Sequence, residues 1–400
     1  MNYLIKAFAI AFCLSAFIYS EYLGYRIEAL NSLFAMAGFW LLLGQRREVW
    51  FWSGFFIGLL WFYWISFSFI YYDLAFLVPL IILSVSLVYA YTFWLIGVLG
   101  KTAYLQAFLL LGISFFKPFG FNWLKFELVL LHSYFFPTLL SLGCLLGALT
   151  IVKIAPKWLK LLAIPCLCLA LLPMQKEVKN QIPLNIELPT MHIPQAKLWE
   201  KEHQDEIILL DFKLIEEAIK AQKELIVLPE SAFPLYLNRE PFLIDKLLEY
   251  SKSIGIILGS LTYEDNKFYN SSYFFNEGTM QVAHKIILVP FGEEIPLPEF
   301  VTTLINKLFF NGAQDYAKAL TPYDFHFKNI KLRNAICFEA TTDKLYQGNP
   351  QVMIALSNNA WFSPAIQQPL QHLLLEYYAK KYNTTIYHSA NSGKSGVILP

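Results

Sequence analysis

Three residues with reactive side chains each follow an apolar run in the second half of the chain. Glu230 follows Leu225–Pro229, Lys285 ends Ala283-His284-Lys285, and Cys337 ends Asn334–Cys337, at intervals of about fifty residues. Apolar runs of this length are typical of buried strands, so we expect the three side chains at strand ends. A thiolate is a nucleophile, a carboxylate accepts the thiol proton, and an ammonium stabilises the oxyanion that follows attack. The three types together indicate acyl chemistry at a cysteine.

The other four cysteines lie in the apolar first half, where a cysteine behaves as a small hydrophobic residue. They are Cys13, Cys144, Cys166 and Cys168. Cys337 therefore has no disulfide partner in its own half, and a lone thiol of this kind has either a chemical use or an inert buried position. The neighbouring glutamate and lysine motifs favour the chemical use.

Several other kinds of site are excluded by the sequence. The seven histidines form no pair at metal-ligand spacing, and neither a glycine-rich phosphate loop nor a Gly-x-Ser-x-Gly elbow occurs. There is no basic stripe of the kind that binds nucleic acid. We expect no metal, no cofactor and no nucleic-acid partner.

Low charge in the first half predicts a membrane domain over residues 1–175. Only 15% of the 400 residues are charged and the mean hydropathy is +0.45, whereas soluble proteins have about 25% charged residues. A helix that crosses a bilayer needs roughly 17–25 apolar residues. We predict about seven transmembrane helices, over 7–20, 29–45, 49–72, 74–100, 102–116, 128–152 and 161–175.

The basic residues predict the orientation of this domain. Seven of its ten lysines and arginines fall on the N-terminal side of the predicted spans and three on the other. Basic residues favour the cytoplasmic side, which predicts a cytoplasmic N-terminus and a second half outside the cytoplasm. A cleaved signal peptide over 3–20 is the alternative, but several spans follow and no small-x-small site is evident.

Residues 176–400 read as a separate α/β layered domain, since strand and helix patterns alternate. Strands are predicted over 185–193, 224–229, 255–262, 271–276, 281–290, 329–337, 351–357 and 384–390. Helices are predicted over 202–223, 241–253 and 367–382.

These motifs, in this order, resemble the nitrilase (carbon–nitrogen hydrolase) superfamily. With a multi-span membrane domain in front, the pattern resembles its apolipoprotein N-acyltransferase branch over nearly the whole chain. The resemblance rests on Leu228-Pro229-Glu230-Ser231, His284-Lys285, Val289–Glu293, Ile336-Cys337-Phe338-Glu339, Ser357–Phe362, and Ile193-Pro194-Gln195 with Trp199.

The resemblance implies a four-layer αββα domain and a role for each site residue. Glu230 would be the general base, Lys285 the oxyanion stabiliser and Cys337 the nucleophile. The supporting residues would be Glu293, which holds and polarises the triad, Glu339 and Trp199 around the site, and the backbone N–H of Phe338 in the oxyanion hole.

The reaction implied is a ping-pong transfer at a bacterial inner membrane, in a periplasmic domain of a monomeric protein. Cys337 would take an acyl chain from a phospholipid and pass it to the N-terminal amine of a diacylglyceryl-cysteine apolipoprotein. Residues 295–311 are apolar and would form either a lid that dips into lipid or a helix packed in the core.

Three departures from the family pattern stand out. Phe338 replaces the usual tyrosine after the nucleophile, and Asn359 replaces the usual aspartate of Ser-Asn-Asp-x-Trp-Phe. The family pattern continues past Pro400 with a strand pair and a membrane helix, so the chain is either naturally short or a piece of a longer one.

Two other functions fit parts of the sequence. A membrane-anchored amidase would use the same triad on a small amide, with water as the acceptor and a pocket that faces water. A transporter or scaffold with a degenerate domain would need ionisable groups in the spans, which are nearly free of them.

Overall fold

The computed structural model describes residues 3–172, 184–300, 302–303 and 315–400. The chain divides into two compact units. The first comprises Met1–Pro118, Asn122–Lys176 and Ala365–Tyr377, and the second comprises Phe119–Phe121, Glu177–Pro364 and Tyr378–Pro400.

Seven α-helices occur among the described residues of the N-terminal region, one in each predicted span. They are α1 (Tyr3–Tyr22), α2 (Glu28–Leu42), α3 (Arg47–Phe62), α4 (Val78–Leu99), α5 (Ala103–Gly112), α6 (Leu139–Ile154) and α7 (Ala163–Leu171). In the part of the chain that the structure describes, three helical segments are long and apolar enough to cross a membrane: Tyr3–Tyr22, Arg47–Tyr72 and Ala75–Leu99. Three shorter apolar helices are Glu28–Leu42, Ala103–Phe115 and Leu139–Ile154.

The helix predicted over 128–152 begins later than its apolar run. Helix α6 starts at Leu139, after Pro137, and the Thr138 side chain accepts a hydrogen bond from the N–H of Ser141 as an N-cap. A proline followed by a threonine cap is a strong helix start, so the run before it takes another conformation. Within that earlier run, Phe126–Leu130 forms a short 3₁₀ helix.

Helices α3 and α4 approach closely through glycines. A Cβ at Gly54 would lie 2.5 Å from the carbonyl oxygen of Tyr89, and a Cβ at Gly58 would lie 2.9 Å from the Cα of Ser86. Without strong hydrophobic driving force between helices in lipid, small residues let backbones pack in this way.

The second unit contains two sheets. The first has the order β1-β2-β4-β5-β6 with β3 paired to β4, and the second has the order β11-β10-β9-β8-β7. The strands are β1 (Ile186–Glu187), β2 (Leu225–Val227), β3 (Phe233–Tyr236), β4 (Gly255–Glu264), β5 (Lys267–Asn276), β6 (Thr279–His284), β7 (Asp324–Phe327), β8 (Ile330–Ile336), β9 (Val352–Asn358), β10 (Thr385–Asn391) and β11 (Gly396–Ile398). The further helices of the chain are α8 (Gln195–Leu198), α9 (Lys201–Lys220), α10 (Pro241–Tyr250) and α11 (Gln367–Tyr382).

The helices and sheets of the second unit pack in layers through two apolar cores. One packs α9 and α10 against the first sheet through residues such as Phe212, Leu247 and Ile256. The other lies between the two sheets, where Val227 and Phe274 of the first sheet share a cluster with Ile354 of the second. The expected helical membrane region followed by a layered α/β domain is confirmed.

The differences from the predicted strands have local causes. The strand predicted over 185–193 is only Ile186–Glu187, because Pro189 removes a backbone donor inside the run. Strand β3 was not predicted, since Pro234 masks its pattern, and β7 and β11 are too short to stand out. Most of segment 295–311, predicted as either a lid or a helix packed in the core, lies outside the described residues.

Candidate active site

Glu230 lies in a tight turn after β2, against strand β4. A Cβ on Gly259 of β4 would meet the Cα of Glu230 at 2.6 Å, so only glycine allows the strand to pack this closely. The next residue, Ser231, has a positive φ of 58°. The Glu230 carboxylate is buried, and both of its oxygens accept hydrogen bonds: Oε1 from the side chain of Asn270 at 2.8 Å, and Oε2 from the backbone N–H of Asn358 at 2.7 Å.

Lys285 directly follows β6 and is completely buried. Its Nζ lies 2.9 and 2.8 Å from the two carboxylate oxygens of Glu293 and 3.7 Å from Oε1 of Glu230. Burial lowers the pKa of the ammonium, but Glu293 and Glu230 outweigh it and hold the pKa above its usual value. The lysine is therefore a fixed positive charge.

Cys337 lies between strand β8 and a 3₁₀ turn, Cys337–Thr341, with a positive φ of 54°. A residue other than glycine rarely adopts this conformation, and it costs about 1–3 kcal/mol. The thiol is hydrogen-bonded to Glu230. Burial and the Glu230 charge raise the pKa of the thiol far above its usual value, against the opposing effect of Lys285. The resting group is a neutral thiol beside a carboxylate that can accept its proton.

Glu293 anchors the lysine from the loop after β6. Its Oε2 also accepts a hydrogen bond from the backbone N–H of Val289 at 2.8 Å, and its Oε1 accepts one from Asn270 at 2.8 Å. Glu293 and Glu230 thus share one donor, Asn270, and both lie within 4 Å of the same ammonium. The role predicted for Glu293, to hold and polarise the triad, stays a prediction.

Glu339 is buried and links the segment after β6 to strand β8 through hydrogen bonds. Its Oε2 accepts the backbone N–H groups of Ile286 and Ile287, at 2.8 and 3.2 Å, and its Oε1 accepts that of Ile336 at 2.8 Å. Burial raises the pKa of Glu339 to about 7, while Lys285 and the backbone donors oppose the rise. These hydrogen bonds hold the backbone next to Lys285 against the backbone next to Cys337.

Burial also raises the pKa of Glu230, with Glu293 adding to the effect and Lys285 opposing it. A base with a raised pKa takes a proton more readily than an exposed carboxylate. The carboxylate is thus matched to a thiol that is itself reluctant to ionise.

Two residues of the site carried no predicted role. Asn358 stands in a motif that the sequence singled out, and its side-chain N–H donates to Gln195 Oε1 at 2.9 Å. Asn270 had no sequence signal of its own, because an asparagine inside a strand is recognised only once its neighbours across the sheet are known.

Trp199 lies at the end of α8, four residues after Gln195, and is 37% exposed. Among the described residues, its side chain takes no part in the hydrogen bonds of this cluster. Its predicted place around the site stays a prediction.

Aromatic rings lie beside the nucleophile. The ring of Phe121 stacks on that of Phe338 with centroids 5.8 Å apart and planes at 6°, and Phe119 packs edge-on against Phe291 at 5.5 Å. Both pairs lie within the second unit. The residue that replaces the usual tyrosine thus contributes an apolar face.

The arrangement is suited to nucleophilic acyl transfer. A neutral thiol, a buried base and a fixed cation meet in one place, as such chemistry requires. Within the described residues, no group of three or more His, Cys, Asp or Glu side chains could hold a metal ion.

Comparison with known proteins gives matches in both halves of the chain. Residues 1–173 match the apolipoprotein N-acyltransferase integral membrane domain, and residues 193–391 match the carbon-nitrogen hydrolase family. A protein of Wolinella succinogenes named apolipoprotein N-acyltransferase is 44% identical over 98% of this chain and 94% of its own length. Proteins of the same name from Helicobacter pylori and Campylobacter jejuni are 37% and 34% identical, over 93% and 99% of this chain and 88% and 90% of theirs.

Proposed function

Because this chain belongs to the apolipoprotein N-acyltransferase family, we propose that it transfers an acyl chain from a phospholipid to the N-terminal amine of diacylglyceryl-cysteine apolipoproteins. The protein is an integral membrane acyltransferase of the lipoprotein maturation pathway. The observation that carries the finer proposal is the Cys337 thiol hydrogen-bonded to Glu230, with Lys285 between Glu230 and Glu293.

The proposed location is a bacterial inner membrane, with a cytoplasmic N-terminus and the second unit in the periplasm. The excess of basic residues on the N-terminal side of the spans supports this orientation. Both substrates are lipids or lipidated proteins, and a monomer is sufficient because one chain supplies every residue of the site.

The first half-reaction forms a thioester. Sγ of Cys337 attacks the carbonyl carbon of a phospholipid acyl ester while Glu230 accepts the thiol proton. Lys285 stabilises the tetrahedral oxyanion, together with the backbone N–H of Phe338. The C–O bond then breaks, and Glu230 returns the proton to the departing oxygen, which leaves as a lysophospholipid.

The second half-reaction forms the amide. The free amine of the apolipoprotein attacks the thioester carbonyl, and Glu230 accepts a proton from the amine. The C–S bond breaks, and Cys337 recovers its proton from Glu230. The same carboxylate therefore serves both steps in turn, as base and then as acid.

Selection of an amine over water requires an apolar surrounding for the thioester. The stacked rings of Phe121 and Phe338 supply such a surface next to the nucleophile. A tyrosine hydroxyl at position 338 is not needed for the chemistry in this proposal.

Intact mass of the detergent-purified chain tests the thioester directly. After incubation with phosphatidylethanolamine, we expect one added acyl mass that hydroxylamine removes. A diacylated lipopeptide with a free amine should discharge the adduct and become triacylated.

Matched variants locate the adduct. Cys337→Ala should abolish it, and Glu230→Gln should slow its formation at least a hundredfold, since general base catalysis contributes about 10²–10⁴-fold. Cys168→Ala should leave it unchanged, because that thiol lies in α7. Turnover of small amides without any acyl adduct would contradict the proposal and favour a membrane-anchored amidase.

A further inference from the structure

Asn270 contacts Glu230, Lys285 and Glu293. It lies on β5, one residue before the last pair of the β5–β6 ladder, Ser271 with His284. Its backbone carbonyl accepts the N–H of Lys285 at 2.9 Å. Its side-chain nitrogen donates to Glu230 Oε1 and to Glu293 Oε1, both at 2.8 Å. The side chain is buried, with 6% of the residue exposed.

The two carboxylates need such a contact. Each has a charge, and both lie within 4 Å of a single ammonium, so the group has one negative charge in excess. Like charges at this separation push one another toward protonation or apart. A primary amide has two N–H donors and no charge, so it can hydrogen-bond both carboxylates at once. Of the standard side chains of this size, an aspartate would add a third charge and a leucine would leave both oxygens without this donor.

We propose that Asn270 is a positioning residue of the active site, whose side-chain amide holds the Glu230 and Glu293 carboxylates next to one another and within reach of the Lys285 ammonium. The inference rests on the proposed role of Glu230 as the base that takes the Cys337 proton. Asn270 acts on the reaction through the Glu230 carboxylate and not on the acyl group itself. It acts by keeping Glu230 charged and at a fixed distance from the lysine.

The charged groups that face Glu230 come from four places in the fold. Lys285 follows β6, Glu293 lies in the next loop, and Cys337 follows β8, while Glu339 acts through its electrostatic interaction with Lys285. Asn270 donates to the charged form of Glu230, which lowers the pKa of that carboxylate against burial. Loss of this donor should therefore raise the pH at which the base becomes available.

Alkylation of Cys337 by iodoacetamide measures this without any acyl substrate. The full chain in detergent is alkylated between pH 5 and 9, and the peptide that contains Cys337 is quantified by mass spectrometry. The rate should fall at low pH as Glu230 becomes protonated. Asn270→Ala should move the midpoint of this acid limb upward by about one pH unit, since a hydrogen bond to a charged group is lost.

Asn270→Asp gives a second midpoint that can be compared with that of the alanine variant. Its side chain has the native shape but adds a carboxylate beside two others, so the midpoint should rise further than in the alanine variant. Because its shape is native, the aspartate variant decides the question if Asn270→Ala does not fold.

Ser272→Ala is the matched control. Ser272 lies two residues along β5, is completely buried, and donates to the side chain of Asn334. Its loss should leave the midpoint where it is. An unchanged midpoint in Asn270→Asp, or a rate lowered equally at every pH in both Asn270 variants, would overturn the inference. A shifted midpoint in a protein that forms no acyl adduct would instead retain the inference and reject the proposed function.

Discussion

Replacement of Lys285 by methionine removes the positive charge beside the buried Glu230 carboxylate and the partly buried Glu293 carboxylate, while nearly keeping the shape of the side chain. Oε1 of Glu230 and Oε1 of Glu293 each lie 2.8 Å from one nitrogen of Asn270, so they are less than about 6 Å apart. At an effective dielectric constant of about 20, two unit charges about 5 Å apart repel by ~3 kcal/mol.

The expected loss of stability depends on pH. Breaking a buried ion pair by removing one partner costs about 3–5 kcal/mol. Burial already raises the folded-state pKa of Glu230, and Lys285→Met removes the ammonium that opposes this rise. Stability is then retained at acid pH, where both states are protonated, and is lost as pH rises through the raised pKa. We expect a loss near pH 8 that is much smaller near pH 5.

Thermal unfolding in detergent, followed by tryptophan fluorescence at the two pH values, measures this difference. A loss of 3–5 kcal/mol lowers the midpoint by roughly 10 °C in a domain of this size. Adding Glu293→Gln should restore part of the loss at pH 8, up to about 3 kcal/mol, because it removes the repulsion. Lys318→Met, which breaks an exposed pair with Glu294, should change stability by less than about 1 kcal/mol. An equal loss at both pH values, or a further loss on adding Glu293→Gln, would refute the reasoning.

Three further substitutions have expected outcomes that can be measured separately. Asp211→Asn should raise the thermal midpoint at pH 7. Within the described residues neither oxygen of the Asp211 carboxylate has a hydrogen-bond partner, and burial raises the pKa of this group. The charged carboxylate therefore lowers the free energy of unfolding by about 1–3 kcal/mol or more. Glu339→Gln should lower the midpoint by an amount equivalent to about 2 kcal/mol, because an amide NH₂ cannot accept the backbone donors that one carboxylate oxygen accepts now. Phe121→Ala should leave thioester formation within a few-fold of the parent but raise its hydrolysis relative to amine transfer, measured as free fatty acid against triacylated lipopeptide, since an apolar surface beside Phe338 is lost.

Much of the site could be predicted because its reactive residues follow recognisable strands. Glu230, Lys285 and Cys337 come just after β2, β6 and β8, where the apolar runs end. Strands β2 and β6 belong to the first sheet and β8 to the second, and the ends of their apolar runs indicated which residues to consider.

The supporting contacts could not be predicted in the same way. The role of Asn270 depends on the antiparallel register of β5 and β6, which places it beside Lys285, and no local pattern states that register. Of the three backbone donors to Glu339, Ile286 and Ile287 follow β6 of the first sheet and Ile336 ends β8 of the second. Sequence reasoning assigned Glu339 a place near the site but had no means of finding what it binds.

The membrane region shows a related limit. Hydropathy located all seven apolar helices, but it could not distinguish helix from other backbone inside one apolar run. The run before α6 ends at Pro137 and Thr138, and that cap, rather than hydropathy, determines where the helix begins.

The residues of the proposed triad come from both sheets, so we expect the reactivity of Cys337 to depend on how closely the two sheets pack. Glu230 and Lys285 follow strands of the first sheet, and Cys337 follows a strand of the second. The hydrogen bonds from Asn358 to Glu230 and from Ile286 and Ile336 to Glu339 connect the two sheets at this place. A separation of the sheets by about one ångström would break these contacts while leaving each sheet folded, because hydrogen bonds weaken quickly with distance. On heating, Cys337 should therefore lose its reactivity reversibly at a temperature below that at which the chain unfolds. Catalytic activity should be lost before the folded structure.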